Sequence, residues 1–225
     1  MDYTVATILL FAAIIISLFA SINVNSTFKK YSSVMSRRGY RGADLARYIL
    51  DANGLNHVRI ESVAGDLTDH YDPTAECVRL SQSTYNSTSI AALGVVAHEC
   101  GHAVQHAESY APIKIRNAVL PVANIGSNVS WILLVLGIAL SFGELCMIGV
   151  ILFSAVVAFQ LITLPVEFNA SARAMNTLEN FNILDEDELK ISGKVLTAAA
   201  MTYVAALLVS LANLLRMIAL ANRRR

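Results

Sequence analysis

Residues 3–22, YTVATILLFAAIIISLFASI, run for twenty positions without a charge. At 1.5 Å per residue a helix of that length covers about 30 Å, the thickness of bilayer hydrocarbon. Three more apolar stretches follow at 118–140, 145–164 and 193–220. The first two of these are separated only by Ser141-Phe142-Gly143-Glu144, a gap that suits a tight helical hairpin. Hydrocarbon offers backbone amides no water, so stretches of this kind cross a membrane as helices that satisfy their own hydrogen bonds. The pattern predicts a mainly α membrane protein with about four transmembrane helices, TM1 3–22, TM2 118–140, TM3 145–164 and TM4 193–220. Composition agrees: 55% of the 225 residues are apolar and 15% charged, with a mean hydropathy of +0.53. The formal net charge is zero, which argues against a nucleic-acid partner.

A cleaved leader needs a basic segment ahead of its apolar run, and here only Asp2 precedes residue 3. Positive charge comes afterwards, at Lys29, Lys30, Arg37 and Arg38, so the first span reads as an uncleaved anchor with its N-terminus outside. Four crossings from that start put 24–116 and 166–192 on the cytoplasmic side of a multi-pass protein of the cell membrane. Thirteen of the seventeen lysines and arginines, Lys29 through Lys194, fall on or beside those segments. The basic tail 221–225 then ends outside, against the positive-inside tendency, and the bias of the larger segments is taken to dominate. Asn124, Ser127, Asn128 and Ser130 in the second span are expected to hydrogen-bond between helices.

Residues 24–116 form a polar domain that holds all five histidines. Leu45, Tyr48 and Ile49 give 43–52 a helical apolar face, and Gly54 follows as a stop. Val58–Val63 and Glu76–Leu80 alternate as strands do, with the turn signal Asp72-Pro73-Thr74 before the second. They predict a small antiparallel sheet, either an edge for an extended peptide or a cover for a helix. That helix, about 88–108, opens with cap candidates Ser87-Thr88-Ser89 and a strongly apolar first half, and Pro112 is read as its end. Cys77, Cys100 and Cys146 make no C-x-x-C pair, so they give neither a disulfide framework nor a zinc knuckle. Pro165 is read as closing the third span, and Asp185-Glu186-Asp187-Glu188 as a solvated helix start within 166–192.

Within the buried helix stands His98-Glu99-Cys100-Gly101-His102, the H-E-x-x-H pattern. Positions i and i+4 stack on one helix face, so both imidazoles can reach one cation at about 2.0–2.1 Å. Glu99 sits one step round, placed to take a proton from activated water without being a ligand. A catalytic zinc needs a third protein ligand. His106 lies eight residues after His98, about 12 Å along the axis, too far for one ion on a straight helix. His57 and His70 in the strand region stay open as candidates. Glu167, just past Pro165 at the cytoplasmic end of the third span, fits best by position.

The stretch VAHECGHAVQHA, with TLPVEFNASARA about sixty residues on, resembles the bacterial membrane-bound neutral zinc metallopeptidases, the YugP-like group. The resemblance covers nearly the whole chain. It implies a gluzincin-like site in a small α+β zincin-like domain, with His98, His102 and Glu167 on Zn2+ and Glu99 as catalytic base. Membrane peptidases of the HtpX and CAAX-processing type carry E-x-x-A-D after the motif. Glu167 and Ala170 match that pattern, but Ser171 replaces the aspartate and can offer only a hydroxyl. His106 and Arg173 are candidate outer-shell or oxyanion donors. The expected activity is hydrolysis of protein or peptide substrates, membrane proteins among them, at the bilayer surface. The alternatives are a non-catalytic zinc-stabilised scaffold or adaptor and, lower, a site-2-type intramembrane protease. Zinc transport has less support, because the spans lack the buried acids and histidines of an ion path. Oligomeric state is left open by the sequence.

Overall fold

The computed structural model describes residues 2–222; the basic tail at 223–225 lies outside the described residues. In chain order the elements are α1 (Tyr3–Tyr31), α2 (Gly42–Ala52), β1 (Arg59–Val63), β2 (His70–Asp72), β3 (Cys77–Ser81), α3 (Gln82–Tyr85), α4 (Ile90–Ala107), α5 (Ala111–Ala139), α6 (Gly143–Asn180) and α7 (Glu186–Asn222). Helices α1, α5, α6 and α7 are long and apolar enough to cross a membrane, and α4 is not among them. The chain is a mainly α membrane protein with a small α+β part, as its apolar stretches predict. By contact it divides into two compact units. One comprises the residues up to Ser21, Ala111–Pro165 and those from Met201 on; the other comprises Ile22–Tyr110 and Val166–Ala200.

In the apolar unit, α5 buries Ala123, Gly126, Ser130 and Leu134, residues three or four apart on one face. A Cβ on Gly126 would come within 2.5 Å of the Leu152 carbonyl oxygen, so this glycine lets α5 meet the α6 backbone. Arg216 stacks over the Trp131 ring at 4.9 Å from its centroid. Within one chain, three of the four α5 polar groups do not face another helix. Asn124, Ser127 and Asn128 are exposed, and Ser127 Oγ and Asn128 Nδ2 donate back to the Asn124 carbonyl at 2.9 and 3.0 Å. In a span the close approach of small residues gains more contact than polar side chains can, and they have taken the packed face.

Two prolines behave differently from the sequence reading. Pro165 does not close a helix: α6 runs through it to Asn180. Proline inside a helix forfeits one backbone hydrogen bond, a cost that long helices tolerate. Pro112 does not end the motif helix either. Helix α4 stops at Ala107, Ser109 turns the chain at φ +58°, and Pro112 stands in the first turn of α5, where an N–H is not needed.

In the polar unit, β3 is the central strand. It pairs in parallel with β1, Arg59 opposite Cys77 through Val63 opposite Ser81, and antiparallel with β2, Tyr71 opposite Val78. The antiparallel pairing predicted for 58–63 with 76–80 is therefore wrong in direction. The reason is β2, three residues with no clear strand signal. It folds back on β3 through a short hairpin, and β1 is left the other edge of β3. Arg79 ties the sheet by ion pairs to Asp72 at 2.6 Å and Glu61 at 3.3 Å.

Ser89 caps α4 by accepting the Ala92 N–H at 3.2 Å. The helix is the core of this unit. Leu93, Val96, Cys100 and Val104 pack with Leu45 and Ile49 of α2, Val78 and Leu80 of β3, and Ala174 and Leu178 of α6. The three cysteines are free and buried, which suits packing. The acidic cluster is solvated only in part. Glu188 is buried and accepts backbone N–H bonds from Arg37 at 2.8 Å and Asp185 at 2.9 Å, reaching back over the first turn of α7.

Candidate metal centre

Within the polar unit, α4 brings His98, Glu99, His102 and His106, and the part of α6 from Val166 on brings Glu167, Asn169, Ser171 and Arg173. Their separation is set at Gly101. A Cβ there would lie 3.0 Å from the Ala170 carbonyl oxygen, so glycine inside the motif admits the α6 backbone one turn beyond Glu167. Glu167 Oε2 then lies 3.3 Å from His98 Nε2 and 3.5 Å from His102 Nε2. The three ligand atoms all fall within 4.8 Å of one another, and Glu167 is only 4% exposed. Tetrahedral ligands at about 2.0–2.1 Å from a cation stand about 3.3–3.4 Å apart. Two imidazole nitrogens and one carboxylate oxygen at this spacing fit a zinc-sized divalent ion.

The other imidazole nitrogens face partners that hold the rings. His98 Nδ1 lies 3.1 Å from Ser171 Oγ, and His102 Nδ1 lies 3.0 Å from Gln105 Oε1. The Gln105 amide group in turn donates to the Val166 carbonyl and to Asn169 Oδ1, both at 2.9 Å. With both amide hydrogens so used, the Gln105 oxygen must accept, and His102 Nδ1 carries the proton. In the neutral ring Nε2 is thereby the nitrogen left free to bind a metal. Asn169 Oδ1 also accepts from Arg173 Nε at 2.8 Å, and Arg173 pairs with Glu108 at 2.7 Å. Burial works against a charged His102, but the Glu167 carboxylate, with Glu99 and Gln105, outweighs it and raises the imidazole above its ordinary value.

Glu99 is not one of the three residues that could hold a metal. It is buried, and its Oε2 accepts the backbone N–H of Tyr71 in β2 at 3.0 Å. His106 meets the same tyrosine, its Nδ1 3.3 Å from the phenol oxygen. Ser171 thus sits behind His98, Arg173 is two hydrogen bonds removed from Gln105, and His106 is turned to β2. His57 lies on the surface 3.9 Å from Glu76, and His70 Nδ1 is 2.8 Å from the Thr68 carbonyl. Among the described residues, the group that could hold a metal comprises His98, His102 and Glu167, and neither sheet histidine joins it.

The family described as "Putative neutral zinc metallopeptidase" matches residues 6–222. The chain belongs to this family. It is also 50% identical over 207 residues, 92% of each chain, to the protein named "Putative membrane protease YugP" of Bacillus subtilis (strain 168). No solved structure matches it. For a neutral zinc metallopeptidase family member the donor set is apt: two imidazole nitrogens and one carboxylate oxygen are a combination that catalytic zinc takes.

Sequence reasoning missed Gln105, Asn169 and Tyr71. Gln105 had a signal, since it is a polar residue three positions after His102 on a helix with apolar neighbours Ala103 and Val104. Asn169, between Glu167 and Ser171, had a weaker one. Tyr71 had none, because only the docking of β2 on α4 brings it to the motif.

Proposed function

We propose that the protein is a membrane zinc metalloendopeptidase, with zinc on His98, His102 and Glu167 and with Glu99 as general base. The observation that supports it most is the convergence of Nε2, Nε2 and Oε2 at 3.3 and 3.5 Å, with the buried Glu99 carboxylate next to His98 on the same helix and outside that donor set. Zinc, when bound, supplies Lewis-acid polarisation of a scissile carbonyl and lowers the pKa of a water toward about 7. Glu99 takes the water's proton at Oε1, while its Oε2 is steadied by the Tyr71 N–H. It then delivers the proton to the leaving amine. Gln105 and Ser171 hold the two imidazoles in the tautomer that presents Nε2.

The substrates are proteins or peptides, membrane proteins among them. Glu167 follows the apolar stretch 145–164 by three residues in the same helix, which favours cleavage near the bilayer surface. The distribution of lysine and arginine favours a multi-pass protein of the cell membrane with its site on the cytoplasmic side.

Full-length protein in detergent tests the reading. Cleavage of a fluorogenic peptide is expected to stop on treatment with a zinc chelator and to return with one equivalent of zinc. Cleavage that persists without metal rejects the assignment. The outer shell adds a graded test. Gln105→Leu keeps side-chain bulk but releases His102 Nδ1, and zinc affinity is expected to fall about 10–100-fold in competition with a fluorescent chelator. An unchanged affinity would mean that Gln105 only packs α4 on α6.

A further inference from the structure

We propose that Tyr71 is a further catalytic residue of this site, its hydroxyl donating to the oxyanion that forms at the scissile carbonyl while His106 orients it. The inference rests on the peptidase reading above.

Tyr71 touches α4 at two points. Its backbone N–H reaches Glu99 Oε2 at 3.0 Å, and its phenol oxygen reaches His106 Nδ1 at 3.3 Å, with ring centroids 5.9 Å apart. Residues 99, 102 and 106 follow i, i+3, i+7 spacing and share one stripe of the helix. The side chain that starts beside Glu99 and ends at His106 therefore runs along the stretch that carries His102. One residue is fixed to the proton acceptor by its backbone and brings an O–H along the metal-binding face. A hydrolytic site of this type needs a donor where negative charge develops on the carbonyl oxygen, and a tyrosine hydroxyl is among the groups that serve.

Two properties suit the hydroxyl to that task. Burial, with the nearby Glu76 and Asp72 carboxylates, holds the phenol above its ordinary pKa, so at neutral pH it keeps the proton it has to donate. Its 3.3 Å contact with His106 is also longer than the usual N–H···O bond of about 2.9–3.0 Å, which leaves the hydroxyl able to turn. A hydroxyl has one donor and two acceptor sites. With the proton on His106 Nδ1, the imidazole donates to the phenol oxygen and the phenol proton is left for substrate. Helix α6 and its Arg173 do not compete for this role, since Arg173 is paired with Glu108 and Asn169.

A structural reading also exists: Tyr71 packs against the apolar core of the unit. Tyr71→Phe separates the two, because it keeps the ring and the backbone N–H and removes only the hydroxyl. In zinc-loaded, full-length protein, kcat is expected to fall about 10²–10³-fold with KM and zinc content nearly unchanged. Independently of turnover, affinity for a phosphinic peptide, a tetrahedral mimic, is expected to fall by a similar factor. His106→Ala is expected to cost less, and that cost should vanish in the Tyr71→Phe background if the pair acts as a unit. Wild-type cleavage with Tyr71→Phe unchanged in both rate and phosphinate affinity overturns this inference alone. Wild-type protein that holds zinc but neither cleaves peptides nor binds the phosphinate overturns the peptidase reading, and this inference with it.

Discussion

Glu99→Gln is expected to retain its zinc and to lose about 10²–10⁴-fold in kcat, the range of a positioned general base. The variant is informative because it separates the proposed basic oxygen from the hydrogen bond that Glu99 makes in the fold. Oε2 accepts the Tyr71 N–H, a bond that a glutamine oxygen can still accept, so β2 stays docked on α4. The group that could hold a metal comprises His98, His102 and Glu167, so removal of the Glu99 charge leaves that donor set whole. What goes is the basic oxygen. Metal content by atomic absorption and single-turnover cleavage of a peptide, measured on one preparation, check both halves. Normal turnover would remove Glu99 from the chemistry. Loss of zinc together with turnover would instead make Glu99 part of the metal shell.

How far the site could be read from the chain differs by residue, for physical reasons. His98, Glu99 and His102 lie within five positions on one helix, and helical periodicity alone brings them together. Glu167 is sixty-five positions from His102, and its approach depends on a contact that no local pattern encodes: the Gly101 Cα against the Ala170 carbonyl. The four apolar stretches were legible because hydrocarbon permits few backbone arrangements. Where they end was less so. The polar unit continues α6 to Asn180, and packing of Ala170, Ala174 and Leu178 offsets the bond lost at Pro165. The sheet shows the opposite limit. Strand alternation marked β1 and β3, but their relative direction depends on β2, whose three residues are too few to show a period. Tyr71 lies on that strand, which is why the second half of the site came only from the fold.

Glu167→Ala is expected to lose zinc on purification and, with it, all measurable cleavage. Three donors reduced to two can no longer enclose a tetrahedral ion, and the loss should exceed the roughly 10–100-fold cost of an outer-shell change such as Gln105→Leu. The buried carboxylate also lies against both imidazoles at 3.3 and 3.5 Å, so a general weakening of the fold has to be told apart from loss of a ligand. Glu167→Gln makes that distinction. It preserves the shape of the side chain and one oxygen but removes the charge, so the α4–α6 packing at Gly101 and Ala170 is retained while the ligand is weakened. Retained thermal stability with weak zinc in Glu167→Gln, and no zinc in Glu167→Ala, identifies a metal ligand. Equal zinc in wild type and both variants would exclude Glu167 from the metal shell. His106 would then have to leave Tyr71, or His57 and His70 the sheet surface, for a third donor to reach the ion.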